Sequence, residues 1–459
     1  ERLENDTIIL ISSKKVCYVL FFLILSTQLT LYQMQTDSSW NIFQKVGFRF
    51  FFTYVLLYVF PFPINGFKYL KDNILSFFND SVRGNVISFM GDLFFDLELP
   101  SQSPITGSGD TTYDYIHLFS CVFLTILGAI IWSIIDRHRK NYTKLLRLLV
   151  IYMAYYVLHS MLLYGFYKVI PIQFSTPSLG RLIQPYGHSS PMGIAWAFMG
   201  TSKVYIIFSG LAEVAAGLLL AFRRTRTLGG LVAFGVMLNV FMMNMCYDIP
   251  VKTYSFHLLF FAFFIFMQDW KRLFAVFFTK ATTTARSFPP YFKDRKIVVA
   301  AIALKIVILG HFLHASLGDA IEKSSLRGPN VPKPPMYGIY DITHIEKNKD
   351  TVPLLITDAD VWKRILIQRK NSLRTYSMND TRTIFRAKLD TIEKSIKLTN
   401  RNDSTDIYNF KYILRDSILT LHGTYLNDTL LIEAKQYDLK KLRLINRGFH
   451  WINERPYNR

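Results

Sequence analysis

Apolar residues dominate eight stretches of the chain, at 16–32, 48–67, 115–135, 145–170, 195–222, 228–246, 254–278 and 297–316, after which apolar and polar positions alternate to the C-terminus. A hydrocarbon core of ~30 Å needs roughly 20 mainly apolar residues per helix, so most of these stretches predict membrane-crossing helices. Period-two runs follow at 337–342, 361–368, 383–389, 395–398, 410–414, 418–421, 429–434 and 442–445. Turn signals such as Asn379-Asp380, Asn402-Asp403, Gly423 and Asn427-Asp428 separate these short strands. The expected fold is an α-helical polytopic membrane bundle of about eight spans joined to a C-terminal all-β barrel or sandwich. Residues 1–114 hold the N-terminal spans and an exported loop, and 115–320 the bundle core with the final span. A Pro-rich connector occupies 321–335 and the β domain 336–459.

Hydrophobic residues make up 51% of the chain and charged residues only 19%, the latter gathered between spans and in the tail. A net charge of +20 would suggest nucleic acid in a soluble protein, but its placement argues against such a partner. Arg137, Arg139, Lys140, Lys144 and Arg147 fill one loop, Arg223, Arg224 and Arg226 a second, and Lys271, Arg272, Lys280, Arg286, Lys293, Arg295 and Lys296 a third. These loops alternate with weakly charged ones, the pattern of a cytoplasmic face, and the three arginines of the second loop are placed to touch anionic lipid. The expected location is the bacterial inner membrane, with the tail in the periplasm. Lys14 and Lys15 conflict with the outside N-terminus that this orientation requires. The first stretch then breaks the charge rule, or does not cross fully, or is a signal peptide, or a segment near 85–95 dips into the membrane; a retained span is the reading preferred. Cys17, Cys121 and Cys246 form no CxxC, zinc or disulfide pattern.

Ionisable side chains within spans are costly and mark pathways, partners or reactive centres. With this orientation Lys168 and His117 lie at outer ends of spans, and Asn244 and Asp248 share one face four residues apart. Lys252 and His257 open the seventh span, His311 and His314 share a face of the eighth, and Glu213 lies deeper between Gly210 and Gly217. Each has a structural alternative. Glu213 bonds across a close helix contact, Lys168 snorkels to headgroups, the histidine pair is interfacial, and Asp248 with Lys252 is a turn salt bridge. Asp110, in Thr106-Gly-Ser-Gly-Asp-Thr-Thr112, reads as an exposed Asx turn. The closing Arg447-Gly-Phe-His-Trp-Ile452 reads as a final strand or a docking surface. No hydrolase, ATPase or nucleotide-dehydrogenase motif occurs.

The segments Tyr164-Gly-Phe-Tyr-Lys168, Pro191-Met-Gly-Ile-Ala-Trp196, Phe208-Ser-Gly-Leu-Ala-Glu213, Leu218-Leu-Leu-Ala-Phe-Arg-Arg-Thr225, Leu228-Gly-Gly230 and Asn244-Met-Cys-Tyr-Asp248 stand in an order that resembles the DoxX family of bacterial membrane proteins. The resemblance spans residues 115–278, and the 106–112 element with the chain's ending is similar to a longer subgroup carrying a soluble domain. It implies quinone-linked sulfur oxidation or other redox functions. A more distant similarity is to the membrane part of vitamin K-dependent γ-carboxylases, where a lysine at the outer end of a helix is a base in quinol chemistry; Lys168 stands at a comparable place. Two readings follow. In the first, a quinone or another apolar redox partner binds in the outer half of the bundle, Lys168 and Glu213 move protons, and His117, Asn244, Asp248, His257, His311 and His314 line the site. In the second, a non-catalytic subunit anchors the β domain for assembly, export or envelope maintenance. No cofactor is fixed by a motif, no metal site is expected, and whether the chain is an enzyme stays open. The partners expected are the lipid bilayer and a membrane or periplasmic protein.

Overall fold

The computed structural model describes residues 39–67, 82–101, 106–279, 282–283, 293–328 and 330–458. The expected first span, with Lys14, Lys15 and Cys17, lies outside them, as do Lys280 and Arg286. The helices are α1 (Ile42–Val59), α2 (Gly84–Phe95), α3 (Thr112–Ile135), α4 (Thr143–Val169), α5 (Leu179–Ile183), α6 (Pro191–Thr201), α7 (Lys203–Ala221), α8 (Arg226–Cys246), α9 (Lys252–Met267), α10 (Trp270–Phe278), α11 (Arg295–Arg327) and α12 (Arg443–Asn446). Six helical segments among the described residues are long and apolar enough to cross a membrane: Ile42–Gly66, α3, α4, α7, α8 and Arg295–Leu326, with α9 a shorter apolar helix. The chain is a polytopic membrane protein.

Local chemistry sets the helix boundaries. Asn41 and Gln44 cap α1 reciprocally, the Asn41 Oδ1 accepting from the Gln44 amide at 2.8 Å and Gln44 Oε1 from the Asn41 amide at 2.9 Å. Thr111 and Asp114 do the same for α3. Two expected spans are broken. The stretch 195–222 is interrupted at Ser202, whose extended backbone separates α6 from α7. The stretch 254–278 divides at Gln268-Asp269, where the Asp269 carboxylate accepts a hydrogen bond from Thr227 and α10 begins. The last span is longer than 297–316. At 33 residues α11 measures about 50 Å, well beyond a ~30 Å hydrocarbon core.

The chain divides into two compact units, one formed by residues up to Gln173 with Val204–Lys323, the other by Phe174–Lys203 with Ser324–Arg459. In the first, α4 buries the largest share of its apolar window and α11 the smallest. Met153, Ala154, Val157, Leu158 and Leu162 of α4 pack with Phe48, Phe51 and Val55 of α1 and Phe261, Phe264 and Ile265 of α9. Arg49 is buried within α1, donating to the Tyr142 hydroxyl at 2.8 Å and to the Asp136 carbonyl at 2.7 Å. A buried guanidinium is tolerated when its donors are matched in this way.

The second unit is built on β1 (Gly338–Lys347), β2 (Asp350–Thr351), β3 (Trp362–Arg369), β4 (Ser372–Ser377), β5 (Arg382–Asp390), β6 (Ser395–Asn400), β7 (Ile407–Arg415), β8 (Ile418–Tyr425) and β9 (Asp428–Gln436). Consecutive strands pair antiparallel, and β1 returns to pair with β9, so β1 and β3 to β9 close an eight-stranded barrel with the two-residue β2 on its rim. Alternate positions fill the interior: Tyr340, Ile365, Leu373, Phe385, Leu398, Phe410, Leu421 and Ala434. Closure leaves no long free edge. The tight β7–β8 turn, Asp416-Ser417, has positive φ at both residues, the conformation that matches strand twist in a two-residue hairpin. Gly423 is no turn. It pairs with Phe410 inside β8, where a Cβ would stand 1.9 Å from the Asn409 carbonyl oxygen.

One barrel feature departs from simple alternation. Ile339-Tyr340 and Ile365-Leu366-Ile367 are consecutive buried residues. Tyr340, Ile365 and Ile367 face inward, while Ile339 and Leu366 lie on the other face of the sheet, covered by Leu179 with Leu182 and Ile183 of α5. The loop between two membrane helices is thus part of the β unit. At the far end, 442–445 is not a strand. Residues after Gln436 form a short helix and an open segment in which Phe449, Trp451 and Ile452 are exposed, so they do not plug the barrel.

Candidate functional site

Lys168 stands in the last turn of α4 and Glu213 in the middle of α7, with relative exposures of 5% and 3%. Their contact depends on small residues. A Cβ on Gly210 would lie 2.6 Å from the Gly165 carbonyl oxygen and 2.8 Å from Lys168 Cβ, so only glycine lets α7 come this close to α4. Across that contact the Lys168 ammonium donates to both Glu213 oxygens, at 2.8 and 2.9 Å. A buried ion pair is viable when charge and hydrogen bonding are matched together, and here they are.

Around this pair runs a series of polar aromatic side chains. Lys168 Nζ lies 6.0 Å from the Tyr164 ring centroid, and the Tyr164 and Tyr254 rings are 6.0 Å apart. Tyr254 donates to Ser160 Oγ at 2.8 Å. His257 is buried, stacked on Tyr58 at 3.7 Å. Its Nδ1, 2.7 Å from the Thr253 carbonyl, must carry the proton, which leaves Nε2 to accept from the Tyr54 hydroxyl at 2.7 Å. His117 takes the other tautomer. Arg83 donates to its Nδ1 at 3.2 Å, so its Nε2–H points to Cys121 Sγ at 3.4 Å. Tyr58, Tyr156, Tyr164, Tyr254 and His117 are enclosed by protein yet all retain accessible surface. Enclosure without full burial leaves room for a crevice among these side chains.

Lys168, Glu213, His117 and His257 are thereby brought into one region of the bundle. Of the remaining expected residues, Asn244, Asp248 and His311 have other partners. Asn244 is buried and donates to Ser255 Oγ at 2.9 Å, fastening α8 to α9. Asp248 does not share its face, because α8 ends at Cys246 and Asp248 adopts a left-handed conformation with its side chain 86% exposed. It pairs with Lys252 at 2.9 Å, and the ammonium beside it holds its carboxyl below the usual carboxylate range. His311 and His314 diverge, His311 Nε2 lying 2.7 Å from the Gly66 carbonyl oxygen while His314 is exposed. Asp110 is more than an Asx turn. Its carboxylate accepts from the Lys252 amide at 2.7 Å and the Thr253 amide at 3.0 Å, capping α9 from another part of the chain. Sequence reasoning also missed Arg83, Tyr54, Tyr58 and Tyr254, which carry no signal beyond residue type. No group of three or more metal-ligating side chains occurs among the described residues.

Fold and site together define a polytopic membrane protein with a closed eight-stranded barrel and a buried ion pair beside a tyrosine-lined crevice. No family model matches the chain and no solved structure does. The uncharacterized protein YwoB of Bacillus subtilis (strain 168) is 31% identical over 116 residues, which make up 25% of this chain and 72% of YwoB. The chain belongs to the same family as YwoB.

Proposed function

We propose that this chain is a redox-associated bacterial membrane protein of the DoxX-like type, binding a quinone or another apolar redox partner in the tyrosine-lined crevice. The observation that carries this reading is the buried Lys168–Glu213 pair at the crevice wall. Reduction of a quinone takes up two protons with two electrons, and an apolar slot flanked by exchangeable O–H and N–H groups is what that chemistry requires. The basic loops support a cytoplasmic face at the opposite ends of α3 and α4. Residues 174–203 fold with the tail, so both lie on one side of the membrane, which in this reading is the periplasmic side of the inner membrane.

The test is purification in mild detergent, extraction and mass analysis of bound quinone, and titration with a short-chain quinone. Single substitutions at the pair risk unfolding, so the informative variant is Lys168→Met with Glu213→Gln, which removes both charges. Wild type is expected to hold quinone and the folded double variant to lose it. A second reading, a non-catalytic subunit anchoring the β unit for complex assembly, draws on the incorporation of an inter-helix loop into that unit. Wild type devoid of quinone and unable to bind it would favour that account.

A further inference from the structure

Most cations near the crevice end of the bundle have an acid. Lys168 has Glu213, Lys252 has Asp248, and Lys323 has Asp319 at 2.8 Å. Arg83 differs. It stands at the N-terminal boundary of α2, half-buried, and its guanidinium meets the neutral Nδ1 of His117. No carboxylate among the described residues lies within ion-pair distance of it. Its electrostatic neighbours are Tyr58, His117 and Cys121, none of which supplies a negative charge in its ordinary protonation state. The Tyr58 hydroxyl holds no hydrogen bond among the described residues, although its ring is enclosed and stacked on His257. A guanidinium presents donors in a fork suited to carboxylate or phosphate oxygens. A cation with no acid among the described residues, and beside it a hydroxyl with no hydrogen bond among them, next to an aromatic crevice, describe a ligand with an anionic end and an apolar body.

We propose that Arg83, oriented by His117 and flanked by the Tyr58 hydroxyl, binds the anionic oxygen headgroup of an amphipathic molecule whose apolar portion occupies the crevice. This rests on the crevice and not on the redox reading, and it holds whether or not a quinone is the molecule bound. The headgroup chemistry is shared by a fatty carboxylate and a lipid phosphate.

The experiment is native mass spectrometry of the full chain in non-ionic detergent, titrated with oleate, phosphatidylglycerol and phosphatidylcholine. Wild type is expected to bind at least one anionic probe about tenfold or more tighter than phosphatidylcholine, the range of a charge-assisted hydrogen bond. Arg83→Gln should bring that probe down to the phosphatidylcholine level, and Arg83→Lys should retain part of the preference. Lys252→Gln, at a partly buried cation already paired with Asp248, should match wild type. Oleate displacing phosphatidylglycerol assigns a free carboxylate, and phosphatidylglycerol retained against excess oleate assigns a membrane phosphate; both support the site. Tyr58→Phe guards against a folding defect in the arginine variants, since it removes one hydroxyl and should weaken the anionic probe about threefold or more. Equal binding of all three probes by wild type overturns the proposal. So does an anionic preference that survives both Arg83→Gln and Tyr58→Phe.

Discussion

At the scale of single residues, the Lys168–Glu213 pair is strongly interdependent. Removing one partner leaves an uncompensated buried charge, so Lys168→Met or Glu213→Gln alone should cost about 3–5 kcal/mol, and the double variant far less than their sum. Thermal unfolding in detergent, arranged as a double-mutant cycle, measures this coupling; additive losses would mean that the pair contributes no mutual stabilisation. Gly210→Ala should force α7 away from α4 and cost roughly 1–3 kcal/mol, because the new methyl meets backbone and not a flexible side-chain end. Lys168 and Glu213 were legible in the sequence, since ionisable groups stand out against apolar helix. Arg83 lies outside such a background, and tyrosines look alike whether they line a crevice or a lipid belt. Sequence spacing also misled at His311 and His314. Three residues along a helix still leave about 60° between side chains, enough on a peripheral helix to turn one inward and the other out.

At the scale of elements, two contacts between distant segments hold the architecture. Asp110→Ala should uncap α9 and lower stability by about 1–2 kcal/mol, with faster amide exchange confined to the first turn of α9; unchanged exchange there would remove the cap from the account. Leu179→Ala should cost about 2–5 kcal/mol by opening the cover over Ile339 and Leu366, and the loss should appear as weakened protection of β1 and β3. Most strands were readable from period-two alternation. The strand β4 was not, because two of its buried positions are Thr375 and Ser377, which look polar in sequence yet occupy the barrel face. The helix break at Ser202 had a local signal in Gly200-Thr201-Ser202-Lys203, but the run is short and the apolar stretches on either side of it read as one span. The cover of α5 was foreshadowed by the runs Ile339-Tyr340 and Ile365-Leu366-Ile367, which signal a strand buried on both faces.

At the scale of the whole molecule, the barrel takes part of its apolar cover from outside the tail. A fragment beginning at Pro332 contains every strand but lacks α5, so it should fold with a lower melting temperature and bind hydrophobic dyes, and linking residues 174–203 to it should restore stability. Equal melting of the two fragments would show the cover to be dispensable. The barrel's pH response follows from its surface. The Asp428 carboxyl is held below the carboxylate range by hydrogen bonds from Lys347 and Asn348, Asp403 by Thr405, and Asp390 by the Glu393 and Ile392 amides. Groups so depressed stabilise above their unfolded pKa of about 3.9, and that contribution disappears as pH falls through the lower folded value. Lys347, raised by Asp428, contributes below about 10.4 and loses its effect as pH rises through its folded value. Melting of the covered fragment should therefore be flat near neutrality and decline below about pH 4, with Asp428→Asn softening the acid limb.

The α5 cover also imposes an order in time. Leu179 is synthesised well before its partners Ile339 and Leu366, and at roughly 5–20 residues per second the wait is on the order of ten seconds or more. The pairing of β1 with β9 cannot form until the final strand has emerged. During that interval the 174–203 segment is an orphan, joined to two helices but lacking the surface it will cover. A protease added during synthesis should cut there until the barrel closes and spare it afterwards, so arrival of the C-terminal strands would be read out at a loop made long before them.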